Sequence, residues 1–256
     1  MGSQTNQQNQ TETEQLPCVL VHRFPSIEFH SCRLGGIAVA GASYAFAEDV
    51  ADYVVALLID VFRRLSAGHR FVRSRVWPVK GEFLLGSKLG GKRIGIVGLG
   101  HIGSEVAKRL MAIGCNIAYT SRNKKPSVSY PCYENVCDLA TESDVLIVCC
   151  ALTPATHHII NKDVMKALGK DGVIINVGRG ALVDEKQLVE SLTKGEIGGA
   201  GLDVFENELF DLENVVLSPH RAVLTPQSIQ SLQQLVLANL KAFFANKPLL
   251  SPVQLE

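Results

Sequence analysis

The sequence lacks a net charge, a long hydrophobic run and a C-x-x-C pair. Lysine plus arginine and aspartate plus glutamate each number 25 in 256 residues, so the net charge is zero. Such a chain has no field that would attract nucleic acid or an anionic membrane surface. The longest apolar run, residues 145–152, suits a buried strand and is too short to span a bilayer. We therefore expect no nucleic-acid partner and no membrane partner.

The seven cysteines are an odd number without C-x-x-C spacing, and Cys149 and Cys150 are adjacent within an apolar run. This usage favours reduced core thiols over a disulfide framework or a metal site. Residues 1–16 are rich in Gln, Asn, Thr and Glu and lack the apolar core of a secretory signal. We therefore expect a disordered tail, no metal and a cytoplasmic (cytosolic) protein.

A glycine-rich turn at residues 94–103 is the most informative segment. An apolar, strand-like run precedes Gly98, Gly100 and Gly103 in the G-x-G-x-x-G spacing, and an amphipathic helix follows. Such a turn brings backbone amides and a helix N-terminus to a pyrophosphate. This context favours dinucleotide binding over a purely structural glycine turn.

Strand-like and helical segments alternate along residues 93–218. Continuous apolar runs, such as 145–148 and 173–175, are typical of parallel strands that are covered on both faces. The alternation predicts an α/β fold with a doubly wound parallel sheet of the Rossmann type. The predicted strands are 17–22, 37–40, 93–98, 116–120, 144–150, 172–177, 199–204 and 214–218, and the later helices are 102–113, 135–141, 161–168, 184–194 and 225–246.

Residues 45–75 have apolar side chains at helical spacing and predict one long helix. This helix is more apolar than one buried face requires. A dimer interface and a central core position explain the excess equally well. Residues 76–92, which contain Trp77, Pro78 and several glycines, predict a loop or arm.

The second predicted strand of the sheet ends in a basic turn. An NAD-binding fold has an acidic residue here for a ribose hydroxyl, but this chain has Ser121, Arg122 and Asn123, followed by two lysines. Arg122 can hold a 2′-phosphate through its planar guanidinium, although a solvated basic turn has the same composition. The missing carboxylate favours NADP(H) over NAD(H).

Three later loops bring polar groups to the carboxyl edge of the predicted sheet, where ligands of open α/β sheets bind. The first delivers Arg179, the second Asp203, Glu206 and Glu208, and the third His220. A lone arginine could be a surface cation or a carboxylate clamp, and a lone histidine is more often structural. An arginine, an acid and a histidine from consecutive strands together indicate a site.

Six motifs occur together: Ala47–Tyr53, Gly98–Gly103, Leu152–Pro154, Asn176–Gly180, Gly201–Phe205 and Ser218–His220. With them the chain, from about Gly36 onwards, resembles the D-isomer-specific 2-hydroxyacid dehydrogenases, and among these the plant glyoxylate/hydroxypyruvate reductases. The resemblance implies reduction of a small 2-oxo acid, hydroxypyruvate or glyoxylate, to the 2-hydroxy acid by hydride transfer from NADPH.

The resemblance also implies roles for individual residues. Arg179 would bind the carboxylate and polarise the oxo group, His220 would donate the proton, and Glu208 would orient the imidazole and favour its charged form. The implied dinucleotide contacts are Gly98, Leu99, Gly100, His101, Ile102, Gly103, Ser121, Arg122, Asn123, Leu152, Thr153, Val177, Gly178, Arg179, Asp203, His220 and Ala222.

The sequence departs from the family pattern in two places. Leu16–Phe29 resembles the first strand and turn of the family's substrate domain, but it is joined near His30 to the segment before the long helix, so most of that domain is absent. The loop between Glu208 and His220 is shortened. Glu206 and Glu213 are candidate local substitutes for Glu208, although neither matches the family motif.

These departures predict an open, hydrated site with reduced turnover. The alternatives are a non-catalytic module for NADP(H) binding or dimerisation, and a different oxidoreductase of the same family. The predicted parts are a tail (1–16), a substrate-domain remnant (17–45 and 221–256) and a dinucleotide-binding domain (46–220) with a helix (46–75) that forms a homodimer.

Overall fold

The computed structural model describes residues 18–19, 32, 34–206, 209 and 212–253. The described residues within 46–229 form one compact unit, and the described residues before 46 and after 229 form a second. The predicted tail at 1–16 lies outside the described residues, and so does nearly all of Leu16–Phe29. The assignment of 17–45 and 221–256 to a substrate-domain remnant therefore stays a prediction.

The smaller unit contains two short parallel strands, β1 (Cys18–Val19) and β2 (Val39–Ala40). The second strand also forms an antiparallel bridge between Ala40 and Pro252, flanked by a hydrogen bond from the Val253 amide to the Val39 carbonyl. The backbone near the C-terminus thus completes the pairing of β2 in this unit.

The larger unit contains a sheet of six parallel strands in the order β4-β3-β5-β6-β7-β8. Every residue of the central strands β5 and β6 is buried, which explains their continuous apolar sequences. The predicted doubly wound α/β architecture is confirmed. The strands are β3 (Arg93–Val97), β4 (Asn116–Thr120), β5 (Val145–Val148), β6 (Val173–Asn176), β7 (Gly199–Leu202) and β8 (Val215–Leu217).

Four helices lie between the successive strands from β3 to β7, because a crossover between parallel strands usually contains a helix. The first helix packs against the fourth and against β7, and the fifth packs against the sixth. Side-chain caps from Asn135, Asn161 and Asp184 begin the fifth, sixth and seventh helices. The helices are α1 (Ala47–Arg63), α2 (Leu65–Arg73), α3 (Trp77–Lys80), α4 (His101–Ala112), α5 (Val136–Thr141), α6 (Lys162–Leu168), α7 (Glu185–Thr193) and α8 (Pro226–Phe244).

The prediction of one continuous helix over 45–75 is wrong, because the chain breaks at Arg64. Arg64 has a left-handed backbone with a φ of 53°. The Asp60 carboxylate accepts hydrogen bonds from the amide and hydroxyl of Ser66 and so begins a second helix. The carbonyl of Phe62 accepts the Ser87 amide instead of continuing the helical ladder. These local hydrogen bonds replace those that a continuous helix would make.

The apolar face of α1 is used within the chain. Val54 and Leu58 are completely buried, and Leu57 packs on β7, where a side chain at Gly201 would press against it. In contrast, α2 has no buried residue. The core explanation thus accounts for α1, whereas Leu65 and Val72, beyond Arg64, are exposed.

Within the described residues, no helix combines the length and apolarity that crossing a membrane requires.

Candidate active site

The glycine turn after β3 has a backbone that side chains would obstruct. Gly98 has a φ of +104°, and a Cβ there would lie 2.8 Å from the Cys150 backbone. A Cβ on Gly103 would lie 2.3 Å from the carbonyl oxygen of Gly98. Gly98 therefore permits the turn, and Gly103 permits α4 to pack against β3, as the G-x-G-x-x-G spacing predicts.

Gly100 differs from Gly98 and Gly103 because nothing lies within 4 Å of the position where its Cβ would be. It is the N-cap residue of α4 and, as a glycine, supplies no side chain to cap the helix. The N-terminus of this 12-residue helix therefore begins at a position with open space beside it, an arrangement suited to the pyrophosphate of a dinucleotide.

The basic turn lies directly beside the glycine turn. The Gly98 amide donates to the Thr120 carbonyl at 2.9 Å, so Ser121 follows immediately next to the first glycine. The Ser121 hydroxyl donates to the Asn123 carbonyl at 2.6 Å, which bends the turn and leaves Arg122 exposed. A cation thus stands next to the glycine turn, where a 2′-phosphate of a bound dinucleotide would require it.

The segment after β5 forms another wall of this crevice. The thiol of Cys149 donates to the Gly98 carbonyl at 3.2 Å. Burial raises the pKa of Cys150 to about 11 and raises that of Cys149 further. Both thiols therefore remain protonated near neutral pH and pack against the turn without acting as nucleophiles. Leu152 and Thr153 follow, and Leu152 is exposed at this edge.

Arg179 is held by a frame of backbone hydrogen bonds after β6. The buried Asn176 side chain accepts the Gly178 amide at 3.0 Å and donates to the Arg179 carbonyl at 2.9 Å. The Arg179 guanidinium donates to the Gly178 carbonyl at 2.6 Å. Burial lowers the pKa of Arg179, but a guanidinium stays protonated in proteins. The structure thus presents a partly desolvated cation whose field is stronger than in water.

The loop of His220 is tied to the same frame through Asp203. The Asp203 amide donates to the Asn176 carbonyl at 3.0 Å, and the His220 amide donates to the Asp203 carbonyl at 2.9 Å. The Asp203 carboxylate accepts the amides of Arg221 and Ala222 at 2.8 and 2.9 Å. Three consecutive loops are thus joined at the carboxyl edge of the sheet, which brings together the segments of Arg179, Asp203 and His220.

The predicted dinucleotide contacts differ in how much surface they offer. Leu99, Val177, Asp203 and Ala222 expose 2%, 4%, 2% and 3% of their surface, so they support the site from beneath and can touch a ligand through few atoms. His101, Arg122, Asn123 and Leu152 are exposed, and Ile102, Ser121, Thr153, Arg179 and His220 are partly exposed.

Three acidic residues are candidates to orient the His220 imidazole. Glu208 lies outside the described residues. Glu206 lies beside Gly180, because a Cβ on that glycine would be 3.1 Å from the Glu206 Cγ. Glu213 precedes β8, whereas His220 follows it, so Glu213 lies toward the opposite edge of the sheet, near Asp60 and Arg64. Glu213 is therefore wrong as a substitute for Glu208.

Sequence reasoning missed the side chains that hold this edge together. The Tyr53 hydroxyl lies 2.6 Å from the Ser218 Oγ, which donates to Asp203 at 2.6 Å. Both residues occur in the family motifs named above but not among the predicted site residues. One feature of the sequence pointed to Tyr53, because its hydroxyl is a polar group on the apolar stripe of α1.

Comparison with known proteins decides the family. Residues 55–226 match the model of the "D-isomer specific 2-hydroxyacid dehydrogenase, NAD binding domain". The chain belongs to the D-isomer-specific 2-hydroxyacid dehydrogenase family. The glycine turn, the basic turn and the Arg179 frame described above all lie within the matched residues. They therefore belong to the dinucleotide-binding domain of this family.

Three relatives illustrate the similarity. A glyoxylate/hydroxypyruvate reductase of Arabidopsis thaliana is 58% identical over 236 residues, which cover 90% of this chain and 73% of that protein. A hydroxyphenylpyruvate reductase of Plectranthus scutellarioides is 47% identical over 233 residues, covering 89% of this chain and 74% of that protein. The crystal structure of an NADPH-dependent glyoxylate/hydroxypyruvate reductase from Sinorhizobium meliloti, in complex with NADP and malonate, superimposes with a TM-score of 0.85 at 37% identity, covering 91% of this chain and 75% of that one.

Proposed function

We propose that this dehydrogenase uses NADPH to reduce a small 2-oxo acid, glyoxylate or hydroxypyruvate, to the corresponding 2-hydroxy acid. The observation that carries the proposal is the backbone frame Asn176–Asp203–His220, which joins the Arg179 loop to the His220 loop. A reductase of 2-oxo acids needs a cation for the carboxylate and a proton donor for the oxo group at one place. The names of the relatives agree with this substrate class.

The dinucleotide would be held by the backbone of the glycine turn and by the basic turn beside it. The open position at Gly100 and the N-terminus of α4 suit a pyrophosphate. Arg122 suits a 2′-phosphate and supports NADP(H) over NAD(H). When bound, the reduced nicotinamide supplies a hydride to the substrate carbon.

Arg179 would pair with the substrate carboxylate and polarise the adjacent oxo group. Its half-buried position strengthens this interaction relative to water. The planar guanidinium can engage two oxygens at once, which also orients the oxo group. This role depends on the Asn176 frame, because that frame sets the direction of the Arg179 backbone.

His220 would give a proton to the oxygen that becomes the hydroxyl. The hydride and this proton together convert the C=O group to CH–OH, so the atoms and charges of the reduction balance. Glu208 would hold the imidazole and favour its charged form, a role that rests on the family motif. A protonated histidine is a suitable acid because its ordinary pKa lies near neutral pH.

The turnover is proposed to be lower than that of the longer relatives. The chain spans about three quarters of their length, and the missing part would contribute to the substrate side of the site. An incompletely covered site admits water, which weakens the interactions of Arg179 with substrate.

The test measures NADPH oxidation by the purified chain with glyoxylate, hydroxypyruvate and hydroxyphenylpyruvate. We expect turnover with at least one small 2-oxo acid and a loss of about 100-fold or more in His220→Ala. His69→Ala, an exposed histidine of α2, is the matched control and should retain wild-type turnover. Tight NADPH binding without turnover would contradict the reductase and support the non-catalytic module. Equal rates in His220→Ala and wild type would contradict the assigned proton donor.

We also propose a cytosolic homodimer that associates through residues 64–88, here called the arm. Supporting the dimer, the arm exposes Leu65, Val72, Trp77, Val79, Leu84 and Leu85, and an exposed apolar patch favours association. Supporting the compartment, six cysteines of the described residues are free thiols: Cys32, Cys115, Cys132, Cys137, Cys149 and Cys150.

Trp77, the only tryptophan, reports on the proposed dimer directly. Its fluorescence should shift to shorter wavelength as protein concentration rises, in parallel with the sedimentation of a dimer. Val79→Asp with Leu85→Asp should abolish both changes. A monomer at all concentrations would contradict the dimer.

A further inference from the structure

A chain of three hydrogen-bonded side chains crosses from α1 to the loop of His220. Ser218 donates to the Asp203 carboxylate at 2.6 Å, so its single hydroxyl proton is used. The Tyr53 hydroxyl, 2.6 Å from the Ser218 Oγ, must therefore be the donor in that pair. Asp203 and Ser218 are 2% and 5% exposed. Solvent water therefore has little access to replace a lost member of this chain.

The backbone supported by this chain has an unfavourable conformation. His220 has a φ of 55°, in the left-handed region that few non-glycine residues adopt. Its amide and the next two all donate to Asp203, the first to the carbonyl and the others to the carboxylate. Such strain persists only where the surroundings hold it. Asp203 is the group that holds it here.

A second contact lies one helical turn away on α1. Asp49 precedes Tyr53 by four residues and so lies on the same face of the helix. Its carboxylate accepts a hydrogen bond from the Thr225 hydroxyl. Thr225 in turn exchanges hydrogen bonds with Ser228 at the start of α8. One face of α1 therefore forms hydrogen bonds with both ends of the segment 218–225, through Tyr53 to Ser218 and through Asp49 to Thr225.

We propose that Tyr53 and Ser218 are positioning residues for the reduction, a role that rests on the proposed function of His220 as the proton donor. They orient the Asp203 carboxylate, which holds the three amides and keeps His220 in its left-handed conformation. This gives the motif Ala47–Tyr53 a task in the site, although neither Tyr53 nor Ser218 would touch substrate. A displacement of about 1 Å in a reacting group can reduce a rate by about 100-fold.

The experiment compares Tyr53→Phe, Ser218→Ala and Ser218→Thr with wild type, and uses Tyr130→Phe as the control tyrosine outside the site. Amide hydrogen exchange is measured at residues 220–222, together with kcat and the KM for NADPH. In the first two variants we expect exchange about tenfold faster at these three amides alone. We expect kcat to fall about tenfold with an unchanged KM. Ser218→Thr, which keeps the hydroxyl, should restore both.

Unchanged exchange at residues 220–222 in both Tyr53→Phe and Ser218→Ala would overturn the proposal. A rise spread evenly over residues 46–229 would also overturn it, since that pattern is a general loss of stability. A loosened loop with unchanged kcat would remove the link to the reaction. If wild type shows no turnover, the proposed function fails. The exchange pattern alone then decides whether the hydrogen bonds of Tyr53 and Ser218 hold the His220 loop.

Discussion

Gly98 and Cys150 approach each other so closely that a Cβ on the glycine would lie 2.8 Å from the Cys150 backbone. Gly98 also has a φ of +104°. Gly98→Ala therefore meets both a clash and backbone strain, and we expect it to lower the free energy of unfolding by about 2–4 kcal/mol. Urea unfolding measures this change, and calorimetry should show that NADPH binding is lost as well.

Gly114→Ala is the matched control for this prediction. Gly114 also has a positive φ, +87°, but nothing lies within 4 Å of the position of its Cβ. Gly114→Ala should lower the free energy of unfolding by about 1–2 kcal/mol from backbone strain alone. The variant should keep its affinity for NADPH. Equal losses of unfolding free energy in the two variants would mean that the clash with Cys150 does not destabilise Gly98→Ala.

Gly100→Ala should separate binding from stability. The added methyl group meets no protein atom within 4 Å and enters the space where the pyrophosphate would lie. We expect the unfolding free energy to change by less than about 1 kcal/mol and the Kd for NADPH to rise by about tenfold or more. Calorimetric titration with NADPH and with NADH measures the affinity. An unchanged Kd would show that the dinucleotide does not lie against this turn.

Arg122→Ala should change the choice of coenzyme. A guanidinium on a 2′-phosphate forms charge-assisted hydrogen bonds worth about 1.5–3 kcal/mol. The Kd for NADPH should therefore rise by about 10- to 100-fold, while that for NADH, which lacks the phosphate, stays the same. Arg75→Ala removes an exposed cation of the arm and serves as the control. A preserved ratio of the two affinities in Arg122→Ala would contradict the phosphate assignment.

Arg179→Lys should affect the oxo acid and not the coenzyme. Lysine keeps the charge but loses the planar fork that engages two carboxylate oxygens. We expect kcat/KM for the 2-oxo acid to fall by about 10- to 100-fold, with an unchanged Kd for NADPH. Steady-state kinetics with glyoxylate and hydroxypyruvate check this. A loss confined to coenzyme affinity would place Arg179 on the dinucleotide instead of the substrate.

The sheet was predictable because its signals are local. Apolar runs and the glycine turn indicate where the strands lie along the sequence, so β4 was predicted to the residue and α4 to within one residue. The break at Arg64 was not predictable in this way. It depends on hydrogen bonds from Asp60 and from Ser87, and Ser87 lies more than 20 residues away along the chain.

The same limit applies to the site. The positions of Arg179 after β6 and His220 after β8 follow from the strand pattern, because parallel strands place their carboxyl ends at one edge. The partners of Asp203 do not follow from it. Tyr53 and Ser218 are 165 residues apart, and neither stands near Asp203 in the sequence. Side-chain contacts at such separations are determined by packing and leave little trace in local periodicity.

The pair Arg93–Asp144 should make stability depend on pH. Burial alone would raise the pKa of Asp144, but hydrogen bonds from the Arg93 guanidinium at 2.9 Å and amide at 2.8 Å hold it below its ordinary value. A lowered pKa in the folded state gives stability that is present above the unfolded pKa, about 3.9, and is lost as pH falls through the folded value. Both side chains are partly exposed, so we expect the pair to contribute about 1 kcal/mol to the free energy of unfolding.

Asp144→Asn tests this dependence because it removes the charge and keeps the shape. Urea unfolding near neutral pH should show the variant about 1 kcal/mol less stable than wild type, and the difference should shrink as pH falls below about 4. Asp171→Asn, an exposed position before β6, should match wild type at every pH. A difference that stays constant from neutral to acidic pH would mean that Asp144 acts through packing and not through its ionised carboxylate.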